Sequence, residues 1–427
     1  MCIKPHQTAF DHFEFMMVQR QSSLLLATCS LFLLSLGLYA VNASSSANEA
    51  AGKRAPVANY RSKDEQARQL TLQVASQLGL RPPLLVPPWV TKLSRKMDRC
   101  TLSVMCALDD CFSRRRQRRL VNSKLSLQVL IWKARATSCC NDPTSPAYDE
   151  GLAYDMLPPL LRLVVVLNRC WPKLMVHTIM EIRSVYLDKC IKQIVELVRA
   201  QNKDSSSSSS SPGKTTKIRL ISMGAGYDVR SMKLRLQNLV DEAVELDLPE
   251  VVQAKTRLLQ SKRLLQRRRR LVTGDWLPKL YAVNLNDVQG TRETLQQIIM
   301  QQSAATSRMN KSDDTGDDDD DDDVEWHNIF LFEAVLMYLD HPKELLQACR
   351  QALDSASVSD ANNQGYPQQQ RRKQTGSLCF ADDLAGMVPK YELDIATREL
   401  AQCGWKLIDW VPRGGRSRHM GWAEAML

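Results

Sequence analysis

The stretch Ile221 to Leu234, ISMGAGYDVRSMKL, constrains the fold more than any other, because the apolar period changes inside it. The run Ile218 to Met223, broken by one arginine and one serine, stops at Gly-Ala-Gly. Beyond Tyr227-Asp228 the apolar residues Val229, Met232, Leu236, Leu239 and Val240 fall at i, i+3, i+7, i+10 and i+11, one face of a helix. A strand, a glycine turn and a helix form half of a βαβ unit.

Further apolar runs alternate with helical segments: Ala243–Asp247, Tyr281–Leu285, Ile329–Phe332 and Ser377–Phe380. That alternation predicts an α/β fold, a mostly parallel, doubly wound sheet with helices on both faces. Upstream, residues 90 to 200 read as helices. The clearest is Thr178 to Ala200, with Ile179, Ile182, Tyr186, Leu187, Cys190, Ile191, Ile194, Leu197 and Val198 on one face. The reading divides the chain into a targeting or anchoring segment over 1–45, linker and helices over 46–124, and a helical cap over 125–204. A serine-rich linker over 205–217 and a core over 218–427 follow. Low-complexity inserts near 303–325 and 355–375 stand at loop positions, where closure entropy grows only slowly with length.

Charge is uneven along the 427 residues. Five arginines lie within Arg114–Arg119 and six basic side chains within Lys262–Arg270, against nine aspartates and one glutamate within Asp313–Glu325. Such blocks read as solvated segments, and no aromatic interleaving supports a base-stacking surface, so no nucleic acid is expected. The twelve cysteines show no CxxC and no metal-ligand spacing with the six histidines, and no metal is expected. Ser23–Val41 is an apolar run of about nineteen residues ending near Val41-Asn42-Ala43. It reads as a signal peptide, membrane anchor or presequence, which leaves the compartment open among endomembrane, secretory and plastid destinations.

Four features are not explained by packing. Gly224 and Gly226 allow a tight turn and a close ligand approach, but Asp228 and Val229 stand where a dinucleotide fingerprint has its third glycine, which suits a smaller nucleoside. Glu245 and Asp247 leave the same face of their strand, and Asp247 is placed either to take ribose hydroxyls or to cap the helix that Pro249 opens. Glu333 ends a buried run and needs a cation, from a ligand or from the fold. Arg183 sits on the apolar stripe of its helix and must snorkel, pair internally or meet a buried anion.

MGAGYDVRSMKL, VELDLPEVVQAK, LFEAVLMYL and EIRSVYLDK together resemble the leucine carboxyl methyltransferase family, S-adenosylmethionine-dependent enzymes of class I Rossmann-like fold. A weaker echo is WKARATSCCNDP with Lys133 and Asp142-Pro143, and the likeness runs from about residue 125 to the C-terminus. It implies S-adenosyl-L-methionine as cofactor. Gly224, with Gly226 in its loop, would hold the methionine part, Asp247 the ribose, and Glu333 the amino group. Arg183 would take the carboxylate, Lys133 would join the cofactor site, and Tyr338 would stand near the substrate carboxylate. Asn284-Leu285 stands where the family places Asp-Leu against the adenine, which removes a charge. The seventeen residues Val411–Leu427 are short for the family's final strand pair, so an incomplete last strand is expected.

The implied substrate is a protein partner with a C-terminal leucine, the catalytic subunit of type 2A phosphatases, and the implied product is a methyl ester. A terminal carboxylate has a pKa of about 3.5 and needs no general base. Two other readings stand beside it. One is an O-methyltransferase for another carboxylate or a small molecule in an organelle. The other is a non-catalytic, membrane-tethered binding protein of the same fold. A monomer is expected, and the family is usually cytosolic.

Overall fold

The computed structural model describes residues 58–80, 83, 124–139, 146, 148–149, 151–167, 175–206, 216–270, 276–309, 325–356, 374–384, 386–388, 392–411 and 419–426. Contacts group the chain into residues 1–62 and 63–427. Of the first unit, only 58–62 are described, the start of helix α1 (Ala58–Gln77). The apolar run Ser23–Val41, the arginine run, Asp142-Pro143, the aspartate tract up to residue 324 and residues 357–373 lie outside the described residues. Among the described residues no helix is long and apolar enough to cross a membrane.

The second unit carries α2 (Lys124–Cys139), α3 (Leu152–Met156), α4 (Pro159–Leu167) and the long α5 (Met175–Ser206) before its first strand. Then come β1 (Thr216–Met223), α6 (Arg230–Leu236), β2 (Glu242–Asp247), α7 (Pro249–Leu259), α8 (Lys262–Arg270) and β3 (Lys279–Ala282). The remainder is α9 (Val288–Met309), β4 (Glu325–Glu333), α10 (Pro342–Ala356), β5 (Thr375–Asp382), α11 (Leu393–Gln402), β6 (Trp405–Val411) and β7 (His419–Ala425). The sheet order is β3-β2-β1-β4-β5-β7-β6. The first five strands pair parallel, while β7 runs antiparallel to both β5 and β6. This is a Rossmann-like, doubly wound sheet closed by an antiparallel strand, the α/β class that the sequence predicts.

Strand periodicity distributes the core. On β1, Ile221 and Met223 point to one face, packed with Leu295 and Ile299 of α9 and Leu346 of α10. Ile218 and Leu220 point to the other, packed with Leu187, Ile191 and Ile194 of α5. The arginine that interrupts β1 is fully buried: Arg219 pairs with Glu242 at 2.6 Å, donates to Asn328 at 3.0 Å, and lies over the Trp326 ring. A third cluster joins α2, α3 and α4 to α6 and α7 through Leu127, Leu130, Met156, Met232, Ala254 and Leu258. It sets a helical cap on the glycine-turn end of the sheet.

The C-terminal expectation is corrected. The last two strands begin at Trp405, upstream of Val411, and the hairpin-like pair is complete, with a bulge between Leu407 and Asp409. The Thr178–Ala200 helix extends at both ends, and its expected apolar stripe is buried from Ile182 to Val198 except at Leu197, which is 48% exposed, while Ile179 is half-buried. Among the described cysteines, Cys190, Cys349, Cys379 and Cys403 are free and buried, as ordinary core thiols.

Candidate functional site

Strand order reverses between β1 and β4, and their paired register runs to Met223 opposite Phe332. The glycine turn and Glu333 therefore emerge side by side at the carboxyl edge, where open α/β sheets hold ligands. Gly224 and Gly226 both have positive φ, at 62° and 51°. At Gly224 an added Cβ would come 2.4 Å from a Val335 methyl and 3.6 Å from a Leu285 methyl. The Gly224 amide donates to the Leu246 carbonyl at 2.8 Å, tying the turn to the end of β2.

Asp247 closes the turn from the other side. Its Oδ2 accepts the Gly226 amide at 2.6 Å and its Oδ1 the Leu248 amide at 2.7 Å. Burial pushes its carboxyl up, and the two amides only partly restore it. A carboxylate has room for about four hydrogen bonds, so acceptor capacity remains for a ligand. The capping alternative is not what forms: α7 has no side-chain cap, and Pro249 at its start needs no acceptor. Glu245 is buried and its Oε2 is ion-paired within the fold, 2.5 Å from buried Lys255. Lys255 also donates to the Asp228 carbonyl at 2.7 Å, bracing the turn.

Glu333 is the centre of a buried ion-pair network. Its Oε1 accepts from Arg183 at 3.1 Å, and its Oε2 from Lys133 at 3.2 Å and Arg230 at 2.7 Å. Asp228 accepts from the same Lys133 and Arg230, each at 2.7 Å. Arg230 continues to Asp188 at 2.7 Å, whose other oxygen takes Lys233 at 2.7 Å. Desolvation is the strongest single influence on Glu333 and opposes its ionisation. Lys133, Arg230 and Arg183 together outweigh it and hold the carboxyl well below the usual range. Asp228 is lowered in the same way, burial being overcome by Arg230 and Lys133.

Arg183 is 4% exposed, and its Nη2 also approaches the Met180 sulfur at 2.9 Å. Its Nε is buried with no hydrogen-bond partner. Leaving a charged donor unpaired away from water costs about 1–3 kcal/mol or more, so an anion fits there. Beside the network a small cleft, open to solvent, is lined by Lys133, Met180, Ser184, Asp228, Arg230 and Lys233.

The structure thus brings Lys133, Arg183 and Glu333 together, and Gly226 with Asp247. It leaves Asn284 and Tyr338 apart from them. Asn284 is exposed and its Oδ1 accepts the Asn286 amide at 3.1 Å. Tyr338 is 56% exposed on a 3₁₀ turn, Leu336–Tyr338. Sequence reasoning missed Asp188, Asp228, Arg230 and Lys233. The one available signal was that Asp228 and Arg230 fill the first turn after the glycines, where two opposite charges enter a buried segment.

No family model matches the chain, and no curated protein matches it. Solved structures to which it is similar include the magnesium protoporphyrin IX methyltransferase ChlM from Synechocystis PCC 6803 with bound SAH. There the identity is 10%, the TM-score 0.28, and the likeness covers 58% of this chain and 86% of that one. The O-methyltransferase NcsB1 from neocarzinostatin biosynthesis, in complex with S-adenosylmethionine, is 13% identical over 49% of each chain, with a TM-score of 0.26. The glycopeptide N-methyltransferase MtfA, complexed with S-adenosyl-L-methionine, is 12% identical over 53% of this chain and 91% of that one, with a TM-score of 0.25. Likeness at that level carries no argument about chemistry. The fold rests on strand order and register.

Proposed function

We propose that this chain binds S-adenosyl-L-methionine and methylates a carboxylate, the C-terminal leucine of a protein of the type 2A phosphatase catalytic-subunit class, giving a methyl ester. The observation that carries the reading is Arg183. Its guanidinium is buried, one edge engages Glu333, and its Nε donor is unspent. A buried cation and a buried carboxylate in contact suit an α-amino acid, whose two charges complement theirs. The resemblance to leucine carboxyl methyltransferases supports the finer substrate.

When bound, S-adenosylmethionine would supply a methyl group activated by a sulfonium. The chain's own residues bind and orient. Asp247 would take the ribose hydroxyls with its remaining lone pairs, beside the left-handed turn at Gly226 whose amide it holds. Glu333 would hold the ammonium, Arg183 and Lys133 the carboxylate, and Leu285 would line the base. Asn284 offers an amide oxygen where an aspartate would offer a charge, which weakens adenine binding without abolishing it. Tyr338, exposed at the rim, would meet the incoming acceptor. An ionised acceptor needs no base, so alignment in a dry site provides the catalysis.

Calorimetry with S-adenosylmethionine, followed by methyl transfer to a peptide ending in leucine and to the same peptide amidated at its terminus, tests this. Binding and methylation of the free acid alone are expected. Wild-type protein without affinity at millimolar cofactor overturns the reading. Binding without transfer to the leucine peptide redirects it to another acceptor.

A further inference from the structure

The cations around Glu333 are not alike. Arg183 and Lys133 reach it from helices of the cap at 3.1 and 3.2 Å, and Lys133 has a closer partner in Asp228 at 2.7 Å. Arg230 is held differently. Its side chain is 3% exposed, and its Nε donates to Asp188 at 2.7 Å. Its Nη1 is shared between Asp228 and Glu333, again at 2.7 Å each. Asp188 is itself fixed, because its second oxygen takes Lys233, three residues after Arg230. Three carboxylates, from α5, the glycine loop and the end of β4, thus converge on one guanidinium. Its planar fork is what allows one side chain to serve them together. Among the described residues Glu333 Oε1 accepts only from Arg183, whereas Oε2 is held by the clamped arginine.

We infer that Arg230, locked by Asp188, is the positioning residue of the amino-acid half of the site. It fixes Oε2 of Glu333 and the Asp228 carboxylate, so that Oε1 is the oxygen exchanged from Arg183 to a ligand ammonium. The inference rests on the reading that Glu333 receives the ammonium of S-adenosylmethionine. It goes beyond that reading because neither Arg230 nor Asp188 need touch the ligand. Arg230→Lys keeps the charge, yet one ammonium on a shorter stem cannot span Asp188 and Glu333 together. The defect must then fall on ligands that carry the amino-acid group, and spare those that carry only the nucleoside.

Calorimetry on the full chain distinguishes this from a merely structural role. The probes are S-adenosylmethionine, S-adenosylhomocysteine and 5′-methylthioadenosine, which lacks the amino acid. For Arg230→Lys the first two should bind at least tenfold more weakly and the third within twofold of wild type. Asp188→Asn, nearly isosteric, should show the same selectivity with a smaller loss, and it decides the matter if Arg230→Lys does not fold. Equal loss of all three ligands, or loss of none, overturns the inference while leaving the proposed function standing. A wild-type chain that binds none of the three overturns both.

Discussion

Replacing Arg183 by methionine should cost little in folding and much in binding, because its partner is not left alone. Glu333 keeps Lys133 and Arg230, so the change does not strand a buried charge, and it removes the unpaired Nε. We expect a melting temperature within a few degrees of wild type and a loss of methyl transfer of at least a hundredfold. Arg183→Lys should also lose activity steeply, since a lysine lacks the bidentate edge. Transfer by the lysine variant within twofold of wild type, under about 0.5 kcal/mol, would take Arg183 out of the site. At Asp247, alanine should weaken S-adenosylmethionine binding by about 1.5–3 kcal/mol, the scale of hydrogen bonds to a charged group. Calorimetry on the folded variant measures it. Arg183 was legible in the sequence because a charge on an apolar stripe is anomalous by itself. Arg230 was not, since its nearest signals are polar neighbours and its partners Asp188 and Glu333 lie 42 and 103 positions away. No local pattern reports a contact of that span.

The loop after β4 is the element that turns a strand end into a site. Ala334 has a positive φ of 59°, unusual for a residue with a Cβ, and the turn that follows needs acceptors for its amides. Asp382, fully buried at the end of β5, supplies them, accepting the Val335 and Leu336 amides at 2.5 and 2.8 Å and the Met337 amide at 3.3 Å. Asp382→Ala strands those donors and should destabilise by about 2–3 kcal/mol in urea unfolding. On the other side Val335 lies against Gly224. Gly224→Ala meets both a methyl at 2.4 Å and a left-handed backbone, so the two costs, about 1–3 kcal/mol for crowding and about 1 kcal/mol for φ, can be separated. Adding Val335→Ala should recover the crowding part and leave the rest. If the double variant is no more stable than Gly224→Ala, the contact is not what restrains that glycine. Element type was legible wherever a strand is buried on both faces, as in β4. The last strand pair was not: edge strand β6, WKLIDWV, buries only Trp405, and β7, HMGWAEA, is buried over its first five residues yet presents no continuous apolar run.

Over the whole molecule the two edges of the sheet divide the polar work. The carboxyl edge gathers charges that a ligand can rearrange, whereas the amino edge holds polar groups closed among themselves. Arg219, Glu242 and Asn328 form one such set, and His327 another, with its Nδ1 2.9 Å from the Thr375 hydroxyl and its Nε2 3.0 Å from that of Ser377. Burial pushes the His327 imidazole down to about 4 from an unfolded value of about 6.5. The sign follows from proton counting. Between those values the unfolded chain binds a proton at this residue and the folded chain does not, so acid favours unfolding. His327 therefore contributes its full stability above about pH 6.5, and loses up to about 3 kcal/mol as pH falls toward 4. Glu333 and Asp228, held low by their cations, add a loss of the same sign at more acid pH, and Glu245 and Asp247, raised by burial, oppose it. A comparison of variants isolates the histidine. His327→Gln keeps one hydrogen bond and cannot titrate, so the difference in unfolding free energy between wild type and variant should shift by about 2 kcal/mol between pH 7.5 and pH 5, with wild type losing. Urea unfolding at pH 7.5, 6.5 and 5 reads it directly. A difference that stays constant across the three would mean that His327 titrates in the fold as it does in water, and that the amino edge is open to solvent there.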